Sequence, residues 1–257
     1  MDRSAYSSGN DADNHAAADE MAIHGRLAGD VVLFLHAGGV PIEALARQLK
    51  ALGCFGEPKA HFDLDGSMWS AVSDAKTNSF ADYLSGLIDW TASDAGRLSA
   101  LIDYRDLLWL EQRPLFQEQL RQRLRVIRFA FLDPALQALR RTNAQRLRST
   151  ASGDEDRKTG FAELARELVE IEEVEQIGER FCKRHGLPLV RLWIEDLSRP
   201  GVPALSGLLD RWSIRLPEDG HFLPIEPPEH SELETVAAFR AEADRQHWSH
   251  ALLPERS

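Results

Sequence analysis

Two cysteines in a chain of 257 residues are too few for a disulfide framework. Cys54 and Cys182 also lie far apart and match no CxxC or Cys/His metal spacing, so a structural metal site is not expected and a reducing, cytoplasmic setting is. No apolar run approaches the ~20 residues needed to span a bilayer, which argues against an integral membrane segment. Positive charge is scarce: 30 Lys and Arg against 41 Asp and Glu give a net charge of -11, which offers no general attraction to nucleic acid or anionic lipid. A nucleic-acid partner is therefore not expected. GxSxG, GxGxxG, HExxH and Walker patterns are all missing, which removes the common hydrolase, dinucleotide, zincin and ATPase readings.

The chain has an ordinary globular balance, with 43% hydrophobic and 28% charged residues, and enough length to bury a full core. Residues 1–28 are rich in Ser, Ala, Asp and Asn near the start and read as a disordered tail. Residues 29–257 read as a single domain.

Val31 to Leu35 (VVLFL) is a short, wholly apolar run of the kind found in buried parallel strands. The loop His36-Ala37-Gly38-Gly39-Val40 follows. Pro41 then stands at a plausible first helical position, Ile42, Leu45, Ala46, Leu49 and Leu52 keep helical spacing, and Gly53 provides a stop. Residues 57–77 have no sustained period and read as a long structured loop. Ser79 is positioned to cap a helix carrying Tyr83, Leu84 and Leu87, and Leu98 to Tyr104 reads as a second strand.

Leu124 to Leu132 is strand-like, with Asp133-Pro134 supplying an N-cap and a first helical proline for a helix through Leu147. Phe161 to Arg184 is a long amphipathic helix closed by His185-Gly186, and Leu189 to Ile194 is the next strand. Helices through Val202 to Trp212 and Leu233 to Leu252 complete the chain. Strands alternating with helices predict an α/β fold: three layers, a parallel sheet with helices on both faces and ligands beyond the carboxyl ends of the strands.

Several segments occur in an order that resembles a known family. They are Leu49-Lys50-Ala51-Leu52-Gly53 after the first strand-loop-helix, Gly56 to Phe62, Asp82-Tyr83-Leu84, the Leu124 to Leu139 strand and helix with Asp133, Gln137 and Ala138, and His185 to Leu189 leading to Glu195-Asp196-Leu197. Arg240 to Trp248 adds a sixth. In this order they resemble the bacterial carbohydrate sulfotransferases of the trehalose and nodulation-factor type. That resemblance implies a P-loop-like sulfotransferase fold, PAPS (3'-phosphoadenosine 5'-phosphosulfate) as cofactor, a sugar or glycolipid hydroxyl as acceptor, and a possible homodimer.

Departures from the family pattern fall on its chemistry. Its first loop carries Arg, Ser, Gly, Ser and Thr around the 5' phosphosulfate; the matching positions here are Gly39, Val40, Pro41, Ile42 and Glu43. The acidic stretch that supplies its catalytic base reads Lys59-Ala60-His61-Phe62 here, and its 3'-phosphate Arg and Ser fall near Phe131 and Arg140. The resemblance thus leaves a degenerate site, and two functions stay open: divergent sulfuryl transfer from PAPS, or a catalytically inactive binding scaffold.

Candidate site residues follow from what remains. Gly38 and Gly39 can form a backbone cradle for an anion at a helix start, or simply make the turn. Lys59 and His61 occupy the position of the acceptor-activating residue, and a histidine suits base chemistry near neutral pH. Between Arg113 and Arg148, nine arginines face only Glu118 and Asp133, a local reversal in an acidic chain. There Arg140 and Arg141 are candidates for bidentate phosphate or sulfate contacts, the other reading being a solvated face or pairing with Glu170 to Glu179. Arg240 joins them through the C-terminal resemblance. Asp63 and Asp65 lack the further ligands of a calcium loop, and His247 and His250 lack a third metal ligand.

Overall fold

A computed structural model describes residues 30–62, 80–94, 96–112, 121–149, 160–197, 210, 212 and 227–249. Among these residues four strands form one open, all-parallel sheet in the order β2-β1-β3-β4, with β1 at Val31–His36, β2 at Leu98–Ile102, β3 at Leu124–Ala130 and β4 at Leu189–Trp193. Val31 is in register with both Leu98 and Leu124, and Val126 with Leu189. β1 is buried from Val31 to Leu35, as a central apolar strand covered on both faces should be, and β2, at the edge of the sheet, is buried throughout.

Alternation along the strands divides the core. Val32 and Phe34 of β1 and Ile127 and Phe129 of β3 point to one face, where they meet α1 (Ile42–Ala51) and α4 (Pro134–Ser149). Val31, Leu33 and Leu35 point to the other, against α2 (Phe80–Thr91) and α3 (Tyr104–Glu111). α5 (Phe161–His185) serves both clusters: Leu164, Leu168, Ile171 and Val174 join the first, and Phe181 and Cys182 the second. Gly178 allows the crossing, because a Cβ there would lie 2.6 Å from Leu35 Cδ2. The expectation of a parallel sheet with helices on both faces is met. No described helix is long and apolar enough to cross a membrane.

Local signals account for most boundaries. Asp133 Oδ1 accepts from the amides of Ala135 and Leu136 at 3.1 and 3.4 Å, so the predicted cap and first-position proline of α4 are both present. Gly186, at φ 64°, ends α5 as anticipated.

Other boundaries differ from the reading. Pro41 is the N-cap of α1 rather than its first helical residue, and its ring offers no capping acceptor. The second strand stops at Ile102, because Asp103 opens α3 with a reciprocal capping box with Asp106. β3 ends at Ala130, short of Leu132, and β4 at Trp193, since Ile194 starts the short helix α6 (Ile194–Leu197). The last helix, α7, spans His230–Arg245, and His247 lies beyond it at φ 50°. Ser79, Asp63, Asp65, His250 and nearly all of the predicted Val202 to Trp212 helix lie outside the described residues.

Candidate functional site

In a sheet of this order, β1 and β3 are neighbours whose crossovers depart in opposite directions, and their carboxyl ends flank the crevice where parallel α/β sheets bind ligands. The Gly38-Gly39 loop leaves β1 at this point, and the Phe131-Leu132-Asp133 loop leaves β3 beside it. Both glycines have positive φ, 83° and 71°. The space beside them is occupied by α4. A Cβ at Gly39 would lie 2.4 Å from the Gln137 carbonyl and 3.0 Å from the Arg141 amide, and one at Gly38 would touch the Arg141 side chain at 3.3 Å.

Gln137 fastens the two loops together. Its Nε2 donates to the Gly38 carbonyl at 3.1 Å, and its Oε1 accepts from the Phe131 amide at 3.3 Å, with the side chain 1% exposed. Val40 is buried in the core and Ile42 packs against it. Glu195 of α6 closes the other side, accepting from the Leu132 amide at 2.9 Å.

No family model matches the chain, and no curated protein matches it.

The arginines that sequence reasoning singled out are held by carboxylates. Arg140 binds Glu232 of α7 with two parallel bonds of 2.8 Å, and its guanidinium lies 5.2 Å from the centre of the Phe131 ring. Arg141 reaches Glu167 at 3.2 Å and Glu170 at 2.7 Å, while its Nη1 is buried with no partner among the described residues. Arg240 donates to Asp133 at 2.9 Å, so this carboxylate both caps α4 and ties α7 to it. Pairing with the Glu170 region therefore describes Arg141, whereas Arg140 turns to a partner that spacing alone did not suggest.

Burial shapes the charges. Glu167 is 1% exposed, and loss of hydration holds its carboxyl above the usual range despite Arg141 alongside. Glu232 is shifted the opposite way: hydrogen bonds from Arg140 hold its carboxyl below the usual range.

Lys59 and His61 stand apart from these groups, beyond the outer edge of β2. Lys59 pairs with Glu57 at 3.0 Å, a carboxylate shared with Lys50. The His61 side chain is buried, with Nε2 3.0 Å from the Glu57 carbonyl and Nδ1 without a partner among the described residues. Thus Gly38, Gly39 and Arg141 are brought together, Arg140 and Arg240 lie on the seam between α4 and α7, and Lys59 and His61 are on a separate edge. Among the described residues, no group of three or more His, Cys, Asp or Glu is arranged to hold a metal ion.

The residues missed by sequence reasoning are Glu167 and Glu232. A weak signal existed for each: Glu167 lies on the apolar stripe of α5 between Leu164 and Ile171, and Glu232 occupies the third position of a capping box opened by Glu229.

Proposed function

We propose that this chain is a divergent sulfotransferase-like protein, with the family's P-loop-like fold, that works as a non-catalytic binding scaffold for a partner protein or glycan. The observation that carries this reading is Gln137, whose carboxamide joins the Gly38 and Phe131 loops where a phosphate-binding loop would open towards ligand. An oxyanion held there needs converging amides, hydroxyls or cations. The loop offers no Lys, Arg, Ser or Thr, Pro41 has no amide proton, and Glu43 adds a negative charge. PAPS does not fit this set of residues, so no transfer step is derived from it. Burial of His61 and pairing of Arg140, Arg141 and Arg240 with carboxylates favour the same reading.

One observation favours a second reading, sulfuryl transfer from PAPS to a carbohydrate or glycolipid hydroxyl. The Arg141 side chain lies beside Gly38, and its Nη1 is buried with no acceptor among the described residues, a feature expected of an anion site. Calorimetric titration of the full chain with PAP, the desulfated nucleotide, separates the two. The scaffold reading expects no heat of binding and no transfer of labelled sulfate from PAPS to a panel of sugars. Binding that disappears in Arg141→Ala would overturn it.

A further inference from the structure

Residues 57–62 form a strap along the outer edge of β2, the side away from β1. Four contacts hold it. The Glu57 amide donates to the Thr91 carbonyl at 2.8 Å, the Leu101 amide of β2 donates to the Lys59 carbonyl at 2.8 Å, the Tyr83 hydroxyl donates to the His61 carbonyl, and Phe62 is buried with α2 and β2. Lys59 and Ala100 pair as a parallel bridge. The strap therefore satisfies an edge amide that would otherwise await a partner.

His61 is 2% exposed. Its Nε2 faces the Glu57 carbonyl, which can only accept, so Nε2 carries the proton and Nδ1 is the bare nitrogen. Nδ1 has no hydrogen-bond partner among the described residues. A second proton would put a charged N–H at a buried position with no acceptor among the described residues. Among the described residues, the titratable groups around it are Glu57 and Lys59 on the strap, Lys50 of α1 reaching Glu57, and Tyr83 of α2. The Glu57 carboxylate is already engaged by Lys50 and Lys59, and Lys59 itself opposes a positive imidazolium.

We propose that the segment from Glu57 to Phe62 is a proton-operated cover on the outer edge of β2, with His61 as its latch. Neutral His61 fits the closed strap. In mild acid it takes a proton by leaving its site, and the Leu101 amide loses the Lys59 carbonyl.

Burial supports the direction, since loss of hydration holds the imidazole below its ordinary value of 6.5 and outweighs the Glu57 carbonyl. The unfolded or opened chain then binds the proton first. Closure is fully favoured above about pH 6.5 and weakens as pH falls from there towards the folded value. Tyr83 does not compete, because burial pushes its hydroxyl up to about 12 and it remains a donor.

The test is site-resolved hydrogen exchange on the full chain, with protection corrected for the intrinsic pH dependence of exchange. Leu101 should lose about tenfold in protection for each pH unit within that window, while Phe34 and Ile127 in the sheet centre hold theirs. In His61→Asn the Leu101 protection should not vary with pH. Constant protection in the wild-type chain, or a fall shared equally by all three amides, overturns the proposal. If His61→Asn does not fold, the His61 ring resonances of the wild-type chain decide: a midpoint below 6.5 that the Leu101 amide shift follows supports the latch, and an ordinary midpoint or an indifferent Leu101 refutes it.

Discussion

Gln137 donates to the carbonyl of Gly38 at 3.1 Å across the junction of two strand-to-helix loops. The same carboxamide accepts from the Phe131 amide, so its two ends serve one buried and one half-buried backbone group. Gln137→Leu keeps much of the volume and orphans both. An orphaned buried group costs about 1–3 kcal/mol and the half-buried Gly38 carbonyl less, so a loss of about 2–4 kcal/mol is expected in urea-induced unfolding. A loss below about 0.5 kcal/mol would mean that the loops do not depend on this bridge.

Gly39 and Gly38 should respond differently to alanine. Both have positive φ, which costs about 1 kcal/mol for a side chain. At Gly39 the new methyl also meets helix backbone at 2.4 Å, whereas at Gly38 it meets the flexible Arg141 side chain at 3.3 Å. Gly39→Ala is expected to destabilise by at least about 1 kcal/mol more than Gly38→Ala, measured by thermal unfolding of the two variants side by side.

Docking of α7 should be sensitive to acid. Arg140 lowers the Glu232 pKa relative to the unfolded chain, so the pair's stabilisation is complete above the ordinary carboxylate value of 4.5 and fades as pH falls through the depressed folded value. Glu232→Gln should flatten that part of the pH–stability curve. Trp248, packed on Phe161 and Phe239 with ring centres 5.7 and 6.0 Å away, offers a local probe by fluorine labelling. An unchanged curve in the variant would separate the pair from α7 docking.

A double-mutant cycle can test the contact of α5 with β1. Gly178→Ala should destabilise by about 1–3 kcal/mol, because the methyl would lie 2.6 Å from Leu35 Cδ2. Leu35→Ala removes that atom, so the second substitution should cost much less in its background. Additive losses would show that α5 does not pack on Leu35 as described.

The elements legible in the sequence were those whose signals are local and reinforce one another. β1 is an apolar run and β3 a β-rich run interrupted by Arg125 and Arg128, each followed by turn residues, and α4 carries Asp133 and Pro134 at its start. α3 escaped notice because its eight residues contain just two buried leucines, too short a stripe to reveal a period, and Asp103 was absorbed into the preceding apolar run. The candidate site was half legible. Spacing identified the Gly38-Gly39 turn and the arginine-rich stretch, but no local pattern places Arg140 against Glu232 or Arg240 against Asp133, pairs that the chain brings together from distant positions. Burial of His61 was hidden for a related reason: it depends on β2 and α2, which approach the strap only once the sheet has formed.

The place of β1 in the middle of the sheet has a kinetic consequence. It is the first strand among the described residues, yet it cannot complete its hydrogen bonds until β2 and β3 have both arrived, and each pairing closes a long loop. During synthesis its apolar VVLFL segment emerges well before either neighbour. An early chain of this kind exposes an unpaired apolar strand to misassembly until β3 is available to pair with it.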